Sequence, residues 1–152
     1  MELIEHRFEN LSEIKYRIFT CDISGDRSAT AMVLRFSGTY GHGSLGNGDG
    51  HFMRIITLSA LSFWTVEAVA FDLRELNYEW GNTIWGMYGR SIDPSGIDDL
   101  PYATIVSGLC RTGFESCESI VGPLFDDLDS AIANLRPRAQ AYLEKLWSED
   151  EE

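Results

Sequence analysis

Three carboxylates lie close together in the chain, at Asp72, Glu75 and Glu79. Neighbouring carboxylates can divide the roles of general acid and general base between them, because their environments push their pKa values apart. Such a cluster is also expected from composition alone in a chain with 24 acidic and 12 basic residues. Neither a Gly-x-Ser-x-Gly elbow nor a Walker lysine accompanies it. We therefore predict no catalytic residues, and we expect a protein that is not an enzyme.

The histidines and cysteines lack the spacing of metal ligands. No histidine stands at a ligand spacing from a cysteine or a carboxylate, and the three cysteines include no Cys-x-x-Cys pair. We predict no metal and no cofactor, and we expect cysteines that pack as small apolar side chains. The histidines, which we expect in exposed loops, are His6, His42 and His51.

A glycine-rich stretch covers residues 38–50, where Gly41, Gly43 and Gly46 match the G-x-G-x-x-G pattern. In a dinucleotide-binding loop the helix begins inside this motif and its amino end meets the pyrophosphate. Here further polar residues follow the motif, and Asp49 would repel a phosphate. We therefore predict a mobile surface loop that forms part of a binding surface, and nucleotide binding is a minor alternative.

Aromatic and acidic side chains around residue 80 form the other candidate site. Tryptophan and tyrosine dominate protein-binding hot spots, where truncation of one residue often costs at least about 2 kcal/mol. A competing interpretation places both tryptophans of this stretch in the core. If they are exposed, the acidic neighbours suit a cationic partner. The predicted partner-binding residues are Tyr40, Asp49, Glu75, Tyr78, Glu79, Trp80, Asn82, Trp85 and Tyr88.

Length and charge limit the function classes. The 152 residues, 44% of them hydrophobic, predict a single domain over 1–152, with an outer segment at 1–13 and an acidic tail at 148–152. A formal charge of -12 opposes binding to nucleic acid and to anionic membranes, and it favours encounter with a basic protein. The acidic start of the chain is unlike a signal peptide, and the best apolar stretch is about half of the 20 residues of a membrane span. We therefore expect a cytoplasmic protein.

Hydrophobic periodicity predicts an α/β fold with a small mixed sheet of four to five strands and helices packed on it. A hairpin of two antiparallel strands begins the sheet, and a helix then connects the second strand in parallel to a central strand that ends near Phe71. The residues predicted to share the face that packs on the sheet are Phe52, Ile55, Ile56, Ser59, Ala60 and Phe63. The predicted strands cover residues 14–23, 29–36, 68–71, 102–107 and 124–125. The predicted helices cover residues 51–64, 84–88 and a carboxyl-terminal stretch. Asp126 or Asp127 is expected to cap the last of these, and Pro137 is expected to kink or split it. We also predict a loop at 91–101 and at most a short helix within 108–122.

This order of elements resembles the STAS domain of bacterial anti-sigma factor antagonists over roughly residues 29–136. The stretch from Asp72 to Ile84 follows in outline the family pattern Asp-Leu-Ser-Gly-Val-x-Tyr-x-Asp-Ser-Ser-Gly-Leu, and Leu124 to Leu135 is similar to the family's terminal helix. The resemblance implies a scaffold that binds another protein. The family's phosphoacceptor serine aligns with Gly81, so the resemblance does not imply a switch operated by a kinase.

Three functions follow as hypotheses. The first is an acidic inhibitor or immunity protein that neutralises a basic toxin domain, because small size, acidity and the absence of catalytic groups fit it. The alternative is a divergent STAS-type regulator that binds a kinase or a scaffold protein. The third is an enzyme of the crotonase type or a nucleotide-binding protein that uses the glycine-rich stretch.

Overall fold

The computed structural model describes residues 1–89, 100–115 and 117–150 of the chain. Its centre is a five-stranded sheet in the order β1-β2-β3-β4-β5. The strands are β1 (Lys15–Asp22), β2 (Thr30–Thr39), β3 (Ala68–Asn77), β4 (Tyr102–Ile105) and β5 (Leu124–Phe125). The α-helices are α1 (Asn47–Phe63), α2 (Arg111–Glu115), α3 (Glu118–Val121) and α4 (Leu128–Asp150), and 3₁₀ helices occupy Phe8–Asn10, Gly43–Gly46 and Asn82–Tyr88. Most of the loop predicted at 91–101 lies outside the described residues.

The sheet combines an antiparallel hairpin with parallel strands. β1 pairs antiparallel with β2, whereas β2, β3, β4 and β5 pair in parallel with their neighbours. A parallel pair needs a long connection, and α1 supplies it between β2 and β3. The predicted mixed α/β sheet is confirmed, including the hairpin, the crossover and the brief edge strand β5.

The central strand β3 is longer than its apolar run indicates. The sequence predicts a turn after Phe71, but β3 continues to Asn77, so that prediction is wrong. A register irregularity in its pairing with β2 lies between Arg35 and Ser37. The polar residue Asp72, which suggests the end of a strand, lies inside β3 because arginine side chains neutralise it there.

Each face of the sheet carries its own core. On one face the larger side chains of β2 and β3 pack against α1 and the 3₁₀ helix Asn82–Tyr88. On the other face small residues of the same strands, including Ala31, Ala68 and Ala70, pack against α4. Small side chains on the α4 side allow a close approach of the helix, which presents Ala131, Leu135 and Ala139 to them.

Helix α1 begins four positions earlier than predicted, and its buried face agrees with the predicted one only in part: Phe52 and Ala60 are buried as expected. Its buried residues include Met53 and Thr57, whereas Phe63, which we expected in the core, is 84% exposed. Thr57 is compatible with burial because its hydroxyl donates a hydrogen bond to the carbonyl oxygen of Met53 at 2.8 Å.

Helix α4 begins at the predicted cap and then passes through its proline. The Asp127 carboxylate accepts a hydrogen bond from the backbone N–H of Ser130 at 2.7 Å, as expected of an N-cap. Pro137 does not split the helix, and α4 extends to Asp150 where we expected a frayed tail. None of the described helices combines the length and the apolar character needed to cross a membrane.

Candidate functional site

Trp80 is the most prominent side chain where β3 ends. It is 60% exposed, so the interpretation that places it in the core is wrong. One side of its indole ring lies directly against the backbone of Gly43, so closely that a Cβ at Gly43 would overlap the ring. The Gly43 N–H also donates a hydrogen bond to the carbonyl oxygen of Trp80 at 3.2 Å. The loop after β2 therefore contacts one side of Trp80, and the rest of the side chain is exposed to solvent.

Further exposed polar and apolar side chains lie at the same end of the sheet as Trp80, on the loops that follow the parallel strands β2, β3 and β4. Nε2 of His42 lies 3.3 Å from a carboxylate oxygen of Glu79, with both side chains more than half exposed. Leu45 is 82% exposed and Leu109 is 52% exposed. The Leu109 carbonyl accepts a hydrogen bond from the N–H of Tyr78 at 3.1 Å, which attaches its loop to the end of β3. We name these residues the carboxyl-end surface: His42, Leu45, Glu79, Trp80, Asn82 and Leu109.

The predicted tyrosines lie beneath this surface and not in it. Tyr40, Tyr78 and Tyr88 are buried, so they support the surface from the core side, and their assignment as partner-contacting residues stays a prediction. Tyr40 and Tyr78 meet edge to face with ring centroids 5.1 Å apart, and the Tyr78 hydroxyl donates to the carbonyl oxygen of Gly81 at 2.9 Å. Burial, with a smaller contribution from Cys117, raises the pKa of Tyr78 to about 12.

Trp85 also packs against the core beneath the carboxyl-end surface. It is half-buried, and its ring lies 5.5 Å from that of Phe114 and 6.1 Å from that of Tyr78. Both arrangements are edge to face, which is favourable for aromatic pairs. Trp85 therefore supports the core under the carboxyl-end surface, and the core interpretation fits it better than it fits Trp80.

Two of the predicted acidic residues do not rim Trp80. Asp49 accepts hydrogen bonds from the Ser12 hydroxyl at 2.5 Å and from the Gly41 N–H at 2.9 Å. Its carboxylate is therefore engaged inside the fold. Glu75 is exposed, but it lies opposite Ser37 in the sheet and away from the loop that carries Trp80. Of the predicted acids, only Glu79 joins the carboxyl-end surface.

The glycine-rich stretch is ordered into helical turns, so its prediction as a loop is wrong. Residues 43–46 form a 3₁₀ helix that leads directly into α1. Its glycines allow close packing: a Cβ at Gly46 would overlap the ring of Tyr40, and one at Gly50 would lie 2.6 Å from the Tyr40 hydroxyl. The helix does begin at the motif, contrary to our expectation. The amide of Gly41, which a phosphate would need, already donates to Asp49.

Gly81 occupies the position that aligns with the family's phosphoacceptor serine, and its backbone excludes a serine there. Its φ of 143° lies in a region that side chains other than glycine rarely adopt. A Cβ would also lie 3.1 Å from a ring carbon of Tyr40. The nearby Thr83 hydroxyl donates to the Asn47 side-chain oxygen at 2.6 Å, which ties the 3₁₀ helix to the start of α1.

The three carboxylates with which the sequence could do acid-base chemistry are not brought together. Asp72 is 1% exposed and binds Arg35 and Arg74, each with a nitrogen within 3 Å of its carboxylate. Burial opposes its ionisation, but the hydrogen bonds from the two arginines outweigh burial and lower its pKa. Within the described residues no group of three histidine, cysteine or acidic side chains could hold a metal ion.

Sequence reasoning missed three members of the carboxyl-end surface: His42, which it placed in an exposed loop but not among the partner-binding residues, and the two leucines Leu45 and Leu109. The available signal was an isolated leucine in each loop, with Leu45 set among glycine and serine and Leu109 next to Gly108. An isolated apolar residue in a polar loop is often simply exposed, so this signal is weak without the fold.

Comparison with known proteins supports the fold. No protein-family model matches the chain, and no curated protein matches its sequence significantly. Among solved structures, the crystal structure of an anti-sigma factor antagonist from Mycobacterium paratuberculosis is similar, with a TM-score of 0.50 and 15% sequence identity. The match covers 79% of this chain and 95% of that one. Together with the mixed five-stranded sheet, this similarity shows that the chain has a divergent STAS-like fold.

Proposed function

We propose that this protein is a STAS-type regulatory module that acts by binding another protein and not by catalysis. The observation that carries the proposal is the exposed side chain of Trp80, which lies on the loop after the central strand β3 and packs against Gly43 of the loop after β2. The fold is similar to that of an anti-sigma factor antagonist. In the sequence resemblance to the STAS pattern, Gly81 of the loop after β3 aligns with the phosphoacceptor serine. The partner is a regulatory kinase or a scaffold protein.

The composition of the carboxyl-end surface supports a protein partner. An exposed tryptophan and two exposed leucines supply an apolar centre, and the pair formed by His42 and Glu79 together with Asn82 supplies a polar rim. Stable protein interfaces have this anatomy, with aromatic anchors at the centre and polar groups around them. The buried tyrosines below hold the surface in place, so little conformational entropy is lost when a partner binds.

The backbone at Gly81 supports a module without a phosphorylation switch at this position. A switch of that kind adds nearly two negative charges at a hydroxyl, and Gly81 has no hydroxyl to modify. In this proposal, binding is controlled by the partner's availability or by the partner's own state.

The hypothesis of an acidic inhibitor of a basic toxin domain remains a prediction. The structural similarity does not support it, and the acidic rim that it requires is reduced, because Asp49 is engaged inside the fold. Salt dependence separates the two functions: toxin masking by charge weakens steeply with salt, whereas a contact centred on Trp80 does not.

The experiment places a photo-crosslinking amino acid at Leu45 and, as a control, at Phe63. Both positions are more than four-fifths exposed, but Phe63 lies at the carboxyl end of α1, away from the carboxyl-end surface. We expect a specific crosslinked protein from position 45 only, identified by mass spectrometry in the source cell. With that protein purified, Trp80→Ala should weaken binding about 30-fold, which corresponds to the ~2 kcal/mol of a hot spot.

Phe63→Ala is the matched control and should leave affinity unchanged. Equal loss of affinity in the two variants would contradict the proposed site. Identification of a basic toxin domain as the crosslinked protein, with binding lost at high salt, would favour the inhibitor instead.

A further inference from the structure

A second surface lies at β1, the outer strand of the hairpin. Within the described part of the chain, β1 pairs with β2 alone and is the outermost strand of the sheet. None of its eight residues is buried, although they sit beside the core strands. Helix α4 packs mainly on β3 and β4. Phe19 and Cys21 of β1 pack against the core on the α4 side of the sheet, whereas Lys15 and Arg17 are exposed. An edge strand of this kind has backbone N–H and C=O groups available for another strand.

Several basic side chains lie on the α4 side of β1 and β2, although the protein as a whole is acidic. Arg17 of β1 lies directly opposite Arg35 of β2, and the ring of Phe19 lies beside both. The guanidinium carbon of Arg17 is 4.9 Å from the ring centroid, and that of Arg35 is 5.0 Å from it. Lys15 follows on the same face at the next alternate position of β1. Among the described residues, neither Lys15 nor Arg17 has an acidic partner within ion-pair distance.

Ion pairs with Asp72 place two arginines, Arg35 of β2 and Arg74 of β3, on the same face of the sheet. The buried carboxylate of Asp72 binds both Arg35 and Arg74, so that one negative charge orders two guanidinium groups that remain partly exposed. Glu75 and Asp127 lie near Arg74 and offset its charge. The uncompensated positive charge is therefore concentrated towards β1. We name this set the cationic face: Lys15, Arg17, Arg35 and Arg74.

We infer that β1 and the cationic face bind an extended acidic segment of a partner protein, which adds to the sheet as a sixth strand. Backbone hydrogen bonds to the free edge of β1 supply affinity, as in other cases of strand addition. Alternate side chains of the added strand then lie over the same face as Lys15 and Arg17, and carboxylates at those positions pair with them. This surface goes beyond the proposed function, because it does not include Trp80.

The charge of the whole protein does not oppose a short acidic segment as strongly as it opposes a second copy of the chain. Two copies each carry a formal charge of -12 and repel one another. At physiological ionic strength, charges more than about 8 Å apart are largely screened. A docked segment therefore responds mainly to the charges that it touches, and on the cationic face these are positive.

The test measures fluorescence anisotropy of a labelled peptide of alternating glutamate and valine, about as long as β1. Lys15→Glu with Arg17→Glu reverses two charges on the face, and Arg7→Glu with Arg54→Glu makes the same change in net charge elsewhere. We expect the first pair to weaken peptide binding at least about tenfold and the second pair to change it less than about twofold. A peptide of alternating lysine and valine should not bind.

Strand addition is tested separately by N-methylation of alternate peptide residues along one edge. Two peptides are compared, one methylated at its odd residues and the other at its even residues. In one of them the methyl groups remove the N–H donors of the peptide edge that faces β1, so that peptide should not bind, whereas the other should. Trp80→Ala should leave peptide affinity unchanged, so failure of this inference and failure of the proposed function are distinguishable.

Four results would overturn the inference. These are no binding of the acidic peptide, equal loss in both charge-reversed pairs, equal binding of both methylated peptides, and a concentration-dependent dimer in sedimentation that Lys15→Glu with Arg17→Glu abolishes. The last result would assign the edge to a second copy of the chain.

Discussion

The indole ring of Trp80 lies against the backbone of Gly43, and the Gly43 N–H donates to the Trp80 carbonyl at 3.2 Å. Gly43 has a φ of 55°, in the left-handed region that glycine adopts without strain. The two residues belong to loops after different strands, so their contact joins the loop after β2 to the loop after β3. The exposed position of Trp80 depends on this contact.

Gly43→Ala should displace the Trp80 ring and destabilise the protein by about 1 to 2 kcal/mol, the cost of a side chain in the left-handed region. The ring has room to move because it is exposed, so the fold should persist. Tryptophan emission of Gly43→Ala should differ from that of the unsubstituted protein, and the difference should vanish in a Trp80→Phe background. A difference that persists in that background would show that another tryptophan reports the change.

Gly81→Ser should destabilise the protein by about 1 to 3 kcal/mol, because a serine would be strained at φ 143°. Gly108→Ser is the matched control, since a Cβ at Gly108 has no atom within 4 Å. We expect the control to stay within about 0.5 kcal/mol of the unsubstituted protein in urea unfolding. Equal stability of the two variants would contradict the argument that the backbone excludes a phosphoacceptor at this position.

Asp72→Asn should destabilise the protein by about 2 kcal/mol, less than the roughly 3 to 5 kcal/mol of a fully buried pair, because both arginine partners are partly exposed. The pKa of Asp72 is lowered in the folded state. Its stabilisation is therefore complete above the unfolded pKa of about 3.9 and is lost as the pH falls through the lower folded value.

Urea unfolding at several pH values measures this effect. The difference in unfolding free energy between the unsubstituted protein and Asp72→Asn should shrink as the pH falls below about 4. Asp126→Asn, at an exposed ion pair with Arg111, is the control and should cost at most about 1 kcal/mol. A difference for Asp72→Asn that is constant down to the acid limit would show that ionisation is not its source.

Tyr78→Phe should cost about 1 kcal/mol at neutral pH, because it removes the hydrogen bond to the carbonyl oxygen of Gly81. The pKa of Tyr78 is raised to about 12 in the folded state. The stabilisation is therefore complete below the unfolded pKa of about 10 and is lost as the pH rises towards the folded value.

Unfolding between pH 9 and 12 checks the sign. Stability of the unsubstituted protein should fall with pH more steeply than that of Tyr78→Phe, by at most about 1.4 kcal/mol per pH unit for one proton. Tyr16→Phe, at an exposed tyrosine of β1, is the control for loss of a hydroxyl and should change stability at neutral pH by less than about 0.5 kcal/mol. Identical slopes for the unsubstituted protein and Tyr78→Phe would show that Tyr78 ionises as easily in the folded state as in the unfolded one.

Local patterns in the sequence determined the order of the elements. The hairpin of β1 and β2, the crossover through α1, the short strand β5 and the cap at Asp127 all follow from turn residues, apolar runs and capping preferences that act within a few residues. The parallel pairing of β2 with β3 could be inferred because connection lengths restrict which strands pair in parallel, and the STAS-like fold was implied by the resemblance of the element order and of residues 72–84 to that family.

The tertiary structure alone decided which aromatic residues reach the surface. Tyr78 and Trp80 stand two positions apart, yet one is buried and the other exposed. Nothing in their neighbourhood along the chain distinguishes them, because the difference comes from Gly43 and Tyr40, which the fold brings from the end of β2. Asp72 is similar: its polarity indicates a turn, but ion pairs with Arg35 of the adjacent strand and with Arg74 of β3 allow its burial inside β3. Burial is a property of contacts between distant segments, whereas sequence patterns report mainly on near ones.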